Sequence, residues 1–246
     1  SRKSIEVPTH TGGGPAVWVA QAAARGALVT PTTALITIPT NEISARYTAA
    51  RESLEDVPMG LESIIRQDQA EQIALLLGTG IIAGTGSAQP QGFMSDAGAN
   101  TFVFATGGPI TGDDIIGTYY DVKTSYAKSG TWLANRATLS AIRQLKSTGT
   151  PGQYLWTPGF GVAPDLILGR PVVETIDMEG TAVNDHAIAF GDWKRAYALA
   201  DRVGFRTLVD PYSQAANGLV DFYGYLRIGG EPIKFEAYTL GTIAAS

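Results

Sequence analysis

"SLEDVPMGLESIIRQDQAEQIALLLGTGIIAGTGSAQPQGFM", residues 53–94, is the stretch whose reading decides the fold. Gly78, Gly80, Gly84 and Gly86 follow an apolar run, which suggests a phosphate-binding loop and hence an enzyme. The same glycines also suit a chain that leaves a long helix and turns. Residues 53–77 carry the helix signal. Glu55 and Asp56 fit a helix start and Pro58 a first turn, and Leu61, Ile64, Ile65, Ile73, Leu76 and Leu77 recur at helical spacing. Gly78 is the expected stop.

The phosphate reading fails on chemistry. A P-loop needs a lysine after its last glycine to reach the phosphates, and none follows here. The spacing also misses the dinucleotide fingerprint by one residue. A dinucleotide loop runs from a strand into a helix, so that helix-start amides face the phosphates; this loop follows a helix. The glycines are therefore expected to shape a helix exit.

Composition narrows the function further. The 246 residues include 18 Lys and Arg against 23 Asp and Glu, a net charge of −5 without a basic stripe, so tight nucleic-acid binding is not expected. The absence of cysteine excludes disulfides, thiolate zinc sites and a cysteine nucleophile. Only His10 and His186 could serve a metal site or a Ser-His-Asp triad, and no G-x-S-x-G elbow is present. Glu55 with Asp56, Asp113 with Asp114, Glu174 with Asp177, and Asp192 are candidate acid/base carboxylates. Each sits where a helix start or turn also explains it, and none has a second motif beside it. No catalytic, cofactor-binding or metal-binding residue is assigned. No apolar run is long enough for a membrane span, and no signal peptide is visible.

Working outward, "PAVWVAQ" and "ALVTPTTALITIPTNEI" read as the two strands of a long hairpin spanning residues 14–45. Such a ribbon is marginal on its own and has open edges, so it is expected to be held by neighbouring subunits. "TGDDIIGTYYDVKTSYAKSG" reads as a helix capped by Thr111, with Ile115, Tyr119, Val122 and Tyr126 as its stripe. "TWLAN" reads as a strand, and "RATLSAIRQLKSTG" as a helix capped by Asn135 and stopped at Gly149. "QYLWTPG", "DLILGRPVVETI" and "HAIAFGD" read as short strands. "NGLVDFYGYLRIGGEPIKFEAYTL" alternates in the β manner. The order is an α+β pattern.

Four blocks in sequence order resemble the tailed-bacteriophage major capsid protein family. Residues 53–94 resemble its spine-helix region. "TWLANRATLSAIRQLKSTGTPGQYLWTPGFGVAPDLILGRPVVET" resembles its next block, "AIAFGDWKRAYALADRVGFRTLVD" its "FGD" segment, and "LRIGGEPIKFEAYTLG" its closing strand. The resemblance implies the Hong Kong 97-type fold, with a long spine helix, an extended β-hairpin loop, and peripheral and axial domains. It implies residues 1–13 as the remnant of an N-terminal arm, with upstream residues missing, and 14–45 as the extended loop. It assigns 46–95 and 200–228 to the peripheral domain, and 96–199 and 229–246 to the axial domain.

The implied function is a non-enzymatic subunit that self-assembles through hexamers and pentamers into an icosahedral shell around double-stranded DNA. The shell would belong to a tailed phage, a prophage or a phage-like particle, and would form in the bacterial host cytoplasm as part of the virion. Implied partners are further copies, weakly held DNA, and scaffold, portal, protease and decoration proteins, with no membrane and no cofactor. The alternatives are an encapsulin-like or domesticated phage-derived compartment and, more remotely, a hydrolase or nucleotide-binding enzyme. Some members of the family cross-link a loop lysine to a peripheral-domain asparagine. Residues 14–45 contain no lysine, the nearest being Lys3 and Lys123, so that chemistry is not expected even though Asn217 lies near the asparagine region.

Overall fold

The computed structural model describes residues 4–12, 18–19, 21, 32–56, 60–105, 107–146 and 166–245. In chain order the strands are β1 (Ser4–Gly12), β2 (Thr32–Pro39), β3 (Asn41–Ala50), β4 (Thr101–Val103), β5 (Thr131–Ala134), β6 (Leu166–Ile167), β7 (Arg170–Glu174), β8 (His186–Gly191), β9 (Tyr197–Asp210), β10 (Leu219–Pro232) and β11 (Tyr238–Thr242). The helices are α1 (Arg51–Asp56), α2 (Leu61–Ala83), α3 (Gly112–Asp121), α4 (Thr124–Ala127), α5 (Arg136–Arg143) and α6 (Trp193–Ala196).

The strands form three sheets. β1 and β2 make a two-stranded antiparallel ribbon; β3, β10 and β9 make a three-stranded sheet; and the order β4-β11-β8-β5-β7-β6 makes a six-stranded mixed sheet. The main core lies on the six-stranded sheet. Trp132, Ile188, Phe190, Tyr238, Leu240 and Ile243 are fully buried there, and Ile115 of α3 and Leu139 and Ile142 of α5 pack into the same cluster. β8 is buried from Ala187 to Gly191, and its small residues reflect crowding. A Cβ on Gly191 would stand 2.4 Å from that of Tyr238.

Helix α2 starts later and ends later than its sequence suggests. Gly60 has φ 69°, a left-handed conformation that breaks the run from α1, and its carbonyl accepts from the Ser63 N–H and hydroxyl. Pro58 lies outside the described residues. The helix then continues through Gly78 and Gly80 to Ala83, with Gly84 as its cap. Both glycines lie against neighbours: a Cβ on Gly78 would lie 3.2 Å from Asp177, and one on Gly80 3.3 Å from Pro90.

The face that α2 buries is centred on Gln69 and Ile73, not on the full aliphatic stripe, and Ile64 and Leu76 remain exposed. Gln69 is wholly buried, and its amide donates to the carbonyls of Phe222 (3.0 Å) and Ala45 (3.3 Å). It thereby ties the helix to β10 and β3.

The ribbon also differs from expectation. The strand paired with β2 is β1, running from Ser4↔Pro39 to Gly12↔Thr32, rather than "PAVWVAQ". Of that stretch only Trp18 and Val19 are described, and neither is in a strand. Beyond Thr40 the chain changes sheets, and β3 pairs along its whole length with β10. Ile38 is buried at the ribbon's base, where the Pro39 carbonyl closes on Gly229 so tightly that a Cβ there would meet it at 2.0 Å.

The expected second helix is divided at Val122–Lys123 into α3 and α4, and its start holds. Thr111 and Asp114 form a reciprocal capping box. Asn135 caps α5, which ends at Arg143; Gly149 and "QYLWTPG" lie outside the described residues.

Candidate assembly surface

The glycine-rich exit is a closed backbone lock. The Gly84 N–H donates to the Gly80 carbonyl (3.1 Å), and the N–H groups of Phe93 and Met94 donate to the carbonyls of Ile81 and Ile82 (3.1 and 3.0 Å). The Gly92 N–H donates to the Gly84 carbonyl (2.8 Å) and the Gly86 N–H to the Pro90 carbonyl (3.2 Å). The turn's amides are thus spent on the helix's own terminal carbonyls, not arrayed toward a ligand. The Gln91 N–H donates to the Gly230 carbonyl (2.9 Å), which fixes the exit to β10.

The carboxylates singled out in the sequence are dispersed into structural contacts. Glu55 pairs with Arg51 one turn earlier, and Asp56 and Asp113 are exposed. Asp114 serves the capping box. Glu174 lies 3.7 Å from Arg136, and Asp177 accepts from the Thr79 hydroxyl (2.6 Å). Asp192 accepts from the Ser129 hydroxyl (2.6 Å). His186 Nδ1 is 2.7 Å from the Thr242 hydroxyl. Among the described residues no group of three or more His, Cys, Asp or Glu could hold a metal ion, and no helix is long and apolar enough to cross a membrane.

One polar cluster was not anticipated. Asp221 on β10 is fully buried on the sheet face opposite α2 and accepts from the Thr48 hydroxyl (2.6 Å), Arg46 (2.6 Å), Gln214 (3.3 Å) and the Tyr223 hydroxyl (3.2 Å). The Arg46 guanidinium also lies 5.3 Å from the Tyr223 ring centre. The Thr48 hydrogen bond, followed by Arg46 and Gln214, lowers the Asp221 pKa from 3.8 to about 2, against the upward push of burial. A carboxylate in the aromatic alternation "LVDFYGY" was the one available sequence signal.

The pH consequence follows from linkage. A folded pKa below the unfolded one stabilises above the unfolded value, and this contribution is lost as pH falls through the folded one. Stability is expected to be level above about pH 4 and to drop toward about pH 2. Urea midpoints across that range should show a shallower drop in Asp221→Asn, which starts from a lower plateau.

The remaining surface is apolar in places that a lone subunit leaves uncovered. The ribbon exposes Leu35, and α2 exposes Ile64, Leu75 and Leu76. β9, a 14-residue strand that among the described residues pairs only with β10, exposes Leu199 and Leu208. Among the described residues the outer edges of β1, β2 and β9 are unpaired. Long open edges with exposed aliphatics are the physical mark of chain-to-chain contact.

The comparisons agree with this geometry. The chain matches the capsid of an empty GTA particle computed with C5 symmetry, with a TM-score of 0.88 and 28% identity, covering 99% of this chain and 86% of that one. It matches the capsid of a native GTA particle at 0.86 and 27% identity, covering 100% and 86%. The structure from Microbacterium phage Oxtober96 superposes at 0.71 with 16% identity, covering 100% and 87%, which shows a shared fold. No curated protein matches the chain. The model of the phage capsid family matches residues 1–243. With a fold of phage-capsid type along its whole length, the chain belongs to the phage capsid family.

Proposed function

We propose that this chain is the major capsid protein of a phage or GTA-type particle and builds an icosahedral shell from pentamers and hexamers around double-stranded DNA. The observation that carries this reading is the match to the GTA capsid, at 28% identity over 99% of the chain. On this reading α2 is the spine helix, and the three-stranded sheet is the heart of the peripheral domain. The six-stranded sheet is the heart of the axial domain, and the ribbon is the extended loop that crosses a neighbouring copy.

Contacts with neighbours supply the apolar burial that the ribbon lacks, at about 25 cal/mol per Å². A net charge of −5 suits a wall that encloses DNA without gripping it. Scaffold, protease, portal and decoration proteins would act on the assembling shell in the host cytoplasm.

The test is the content of particles purified after nuclease treatment. Protected double-stranded DNA is the expected result. Particles that hold only protein cargo would instead support the compartment reading.

A further inference from the structure

Two features at distant points of the chain fit each other. Trp18, in the stretch that joins the far end of β1 to β2, is fully exposed. A cleft of about 320 Å³ opens beside the α2 exit, lined by Ile81, Phe93, Leu133, Trp193, Tyr197 and Leu199. Phe93 and Trp193 form its aromatic wall, their ring centres 4.6 Å apart. Leu199 lines the cleft and is itself more than half exposed, so the cleft presents apolar surface to solvent.

The cleft takes an apolar, preferably aromatic, side chain, because its walls are almost entirely carbon.

Trp18 does not occupy the cleft of its own chain. The α2 exit is bonded to Gly230, next to the ribbon's base at Gly229. The ribbon's eight paired positions carry the chain roughly 25 Å from that base. Full exposure of Trp18 agrees with a side chain that finds no partner among the described residues of its own subunit. Among the described residues, an exposed aromatic knob and an open apolar socket are thus both left unfilled. A head-to-tail contact between them repeats from copy to copy, and it gives rings where the rotation between copies closes. Fully desolvated tryptophans are also the commonest anchors of protein interfaces.

We infer that Trp18 of one copy seats in the Phe93–Trp193–Leu199 cleft of a second copy and anchors the ribbon there. This inference rests on the shell-subunit reading and names the contact that would hold neighbouring subunits together.

The chain has no cysteine, so introduced thiols report on a clean background. Particles of the Val19→Cys/Thr175→Cys double variant, which keeps Trp18 and the apolar walls of the cleft, are expected to run as a ladder of covalent multimers after treatment with a short bis-maleimide, with each single variant staying monomeric. In parallel, Trp18→Ala is expected to cut particle yield at least tenfold at unchanged subunit melting temperature, and Trp18→Phe to restore most of it. Particles that form normally but give no ladder, or a Trp18→Ala yield equal to wild type, overturn the contact and leave the shell reading standing. That outcome would point to another occupant, such as a decoration protein. Failure of the unmodified chain to form particles overturns both.

Discussion

Gly84→Ala is expected to destabilise the subunit by about 3 kcal/mol or more, at or beyond the upper end of overpacking costs. Gly84 has φ −62° and ψ 146°, which alanine adopts freely, so the cost is steric alone. An added Cβ would stand 2.3 Å from the Gly80 carbonyl oxygen and 2.3 Å from that of Pro90. Both oxygens belong to the hydrogen-bonded lock and cannot swing aside like the end of a side chain.

At this chain length the loss corresponds to roughly 6–12 °C in melting temperature. Gly78→Ala is the matched control. Its Cβ would meet only the Asp177 carboxylate at 3.2 Å, and alanine gains roughly 0.5–1 kcal/mol inside a helix. Thermal melts by circular dichroism should therefore separate the two glycines. A Gly84→Ala variant that melts with wild type would show that the exit is not a rigid lock.

Trp132→Ala is the second large effect. Trp132 is fully buried on β5, with its ring centre 4.4 Å from Phe190, and its indole N–H donates to the Ile167 carbonyl (3.0 Å). Truncating such a side chain costs about 3–5 kcal/mol. Orphaning the carbonyl adds about 1 kcal/mol or more. Trp132→Phe keeps most of the packing and loses the donor, so it should cost about 1–2 kcal/mol. Urea unfolding should place the three proteins in that order. Equal midpoints for Trp132→Ala and Trp132→Phe would remove Trp132 from the centre of the core on the six-stranded sheet.

The sequence was informative where local chemistry and tertiary packing asked for the same residues. The Thr111 and Asn135 caps, the strand at Thr131–Ala134 and the α+β order all appear as expected, because each depends on neighbours within a few residues. The glycine motif does contain the helix exit, but later than its first glycine suggests: α2 runs through Gly78 and Gly80, and Gly84 caps it.

The misreadings have a common cause, which is long-range contact. Gly78 reads as a stop in the sequence, yet the helix continues past it, and the neighbouring Thr79 hydroxyl bonds Asp177, about a hundred residues away. The aliphatic stripe of α2 suggested one buried face, yet Ile64 and Leu76 stay exposed while Gln69 is buried. The sheet offers Gln69 two carbonyls, and the aliphatic positions stay on the outer face of the helix. The strand opposite β2 was sought in "PAVWVAQ" because β-branched and aromatic residues cluster there. Pairing instead selected Ser4–Gly12, whose residues alternate opposite those of Thr32–Pro39. The Asp221 cluster draws on three separate parts of the chain, and only its anomalous carboxylate was visible beforehand.

The central claim is that the ribbon, the open edge of β9 and the outer face of α2 are uncovered in the isolated subunit because other copies cover them. Electron microscopy of the purified protein under assembly conditions tests this most directly. Closed icosahedral particles are predicted, with each ribbon lying across an adjacent subunit. A protein that stays monomeric under every assembly condition, or particles whose ribbons fold back on their own chains, would contradict it.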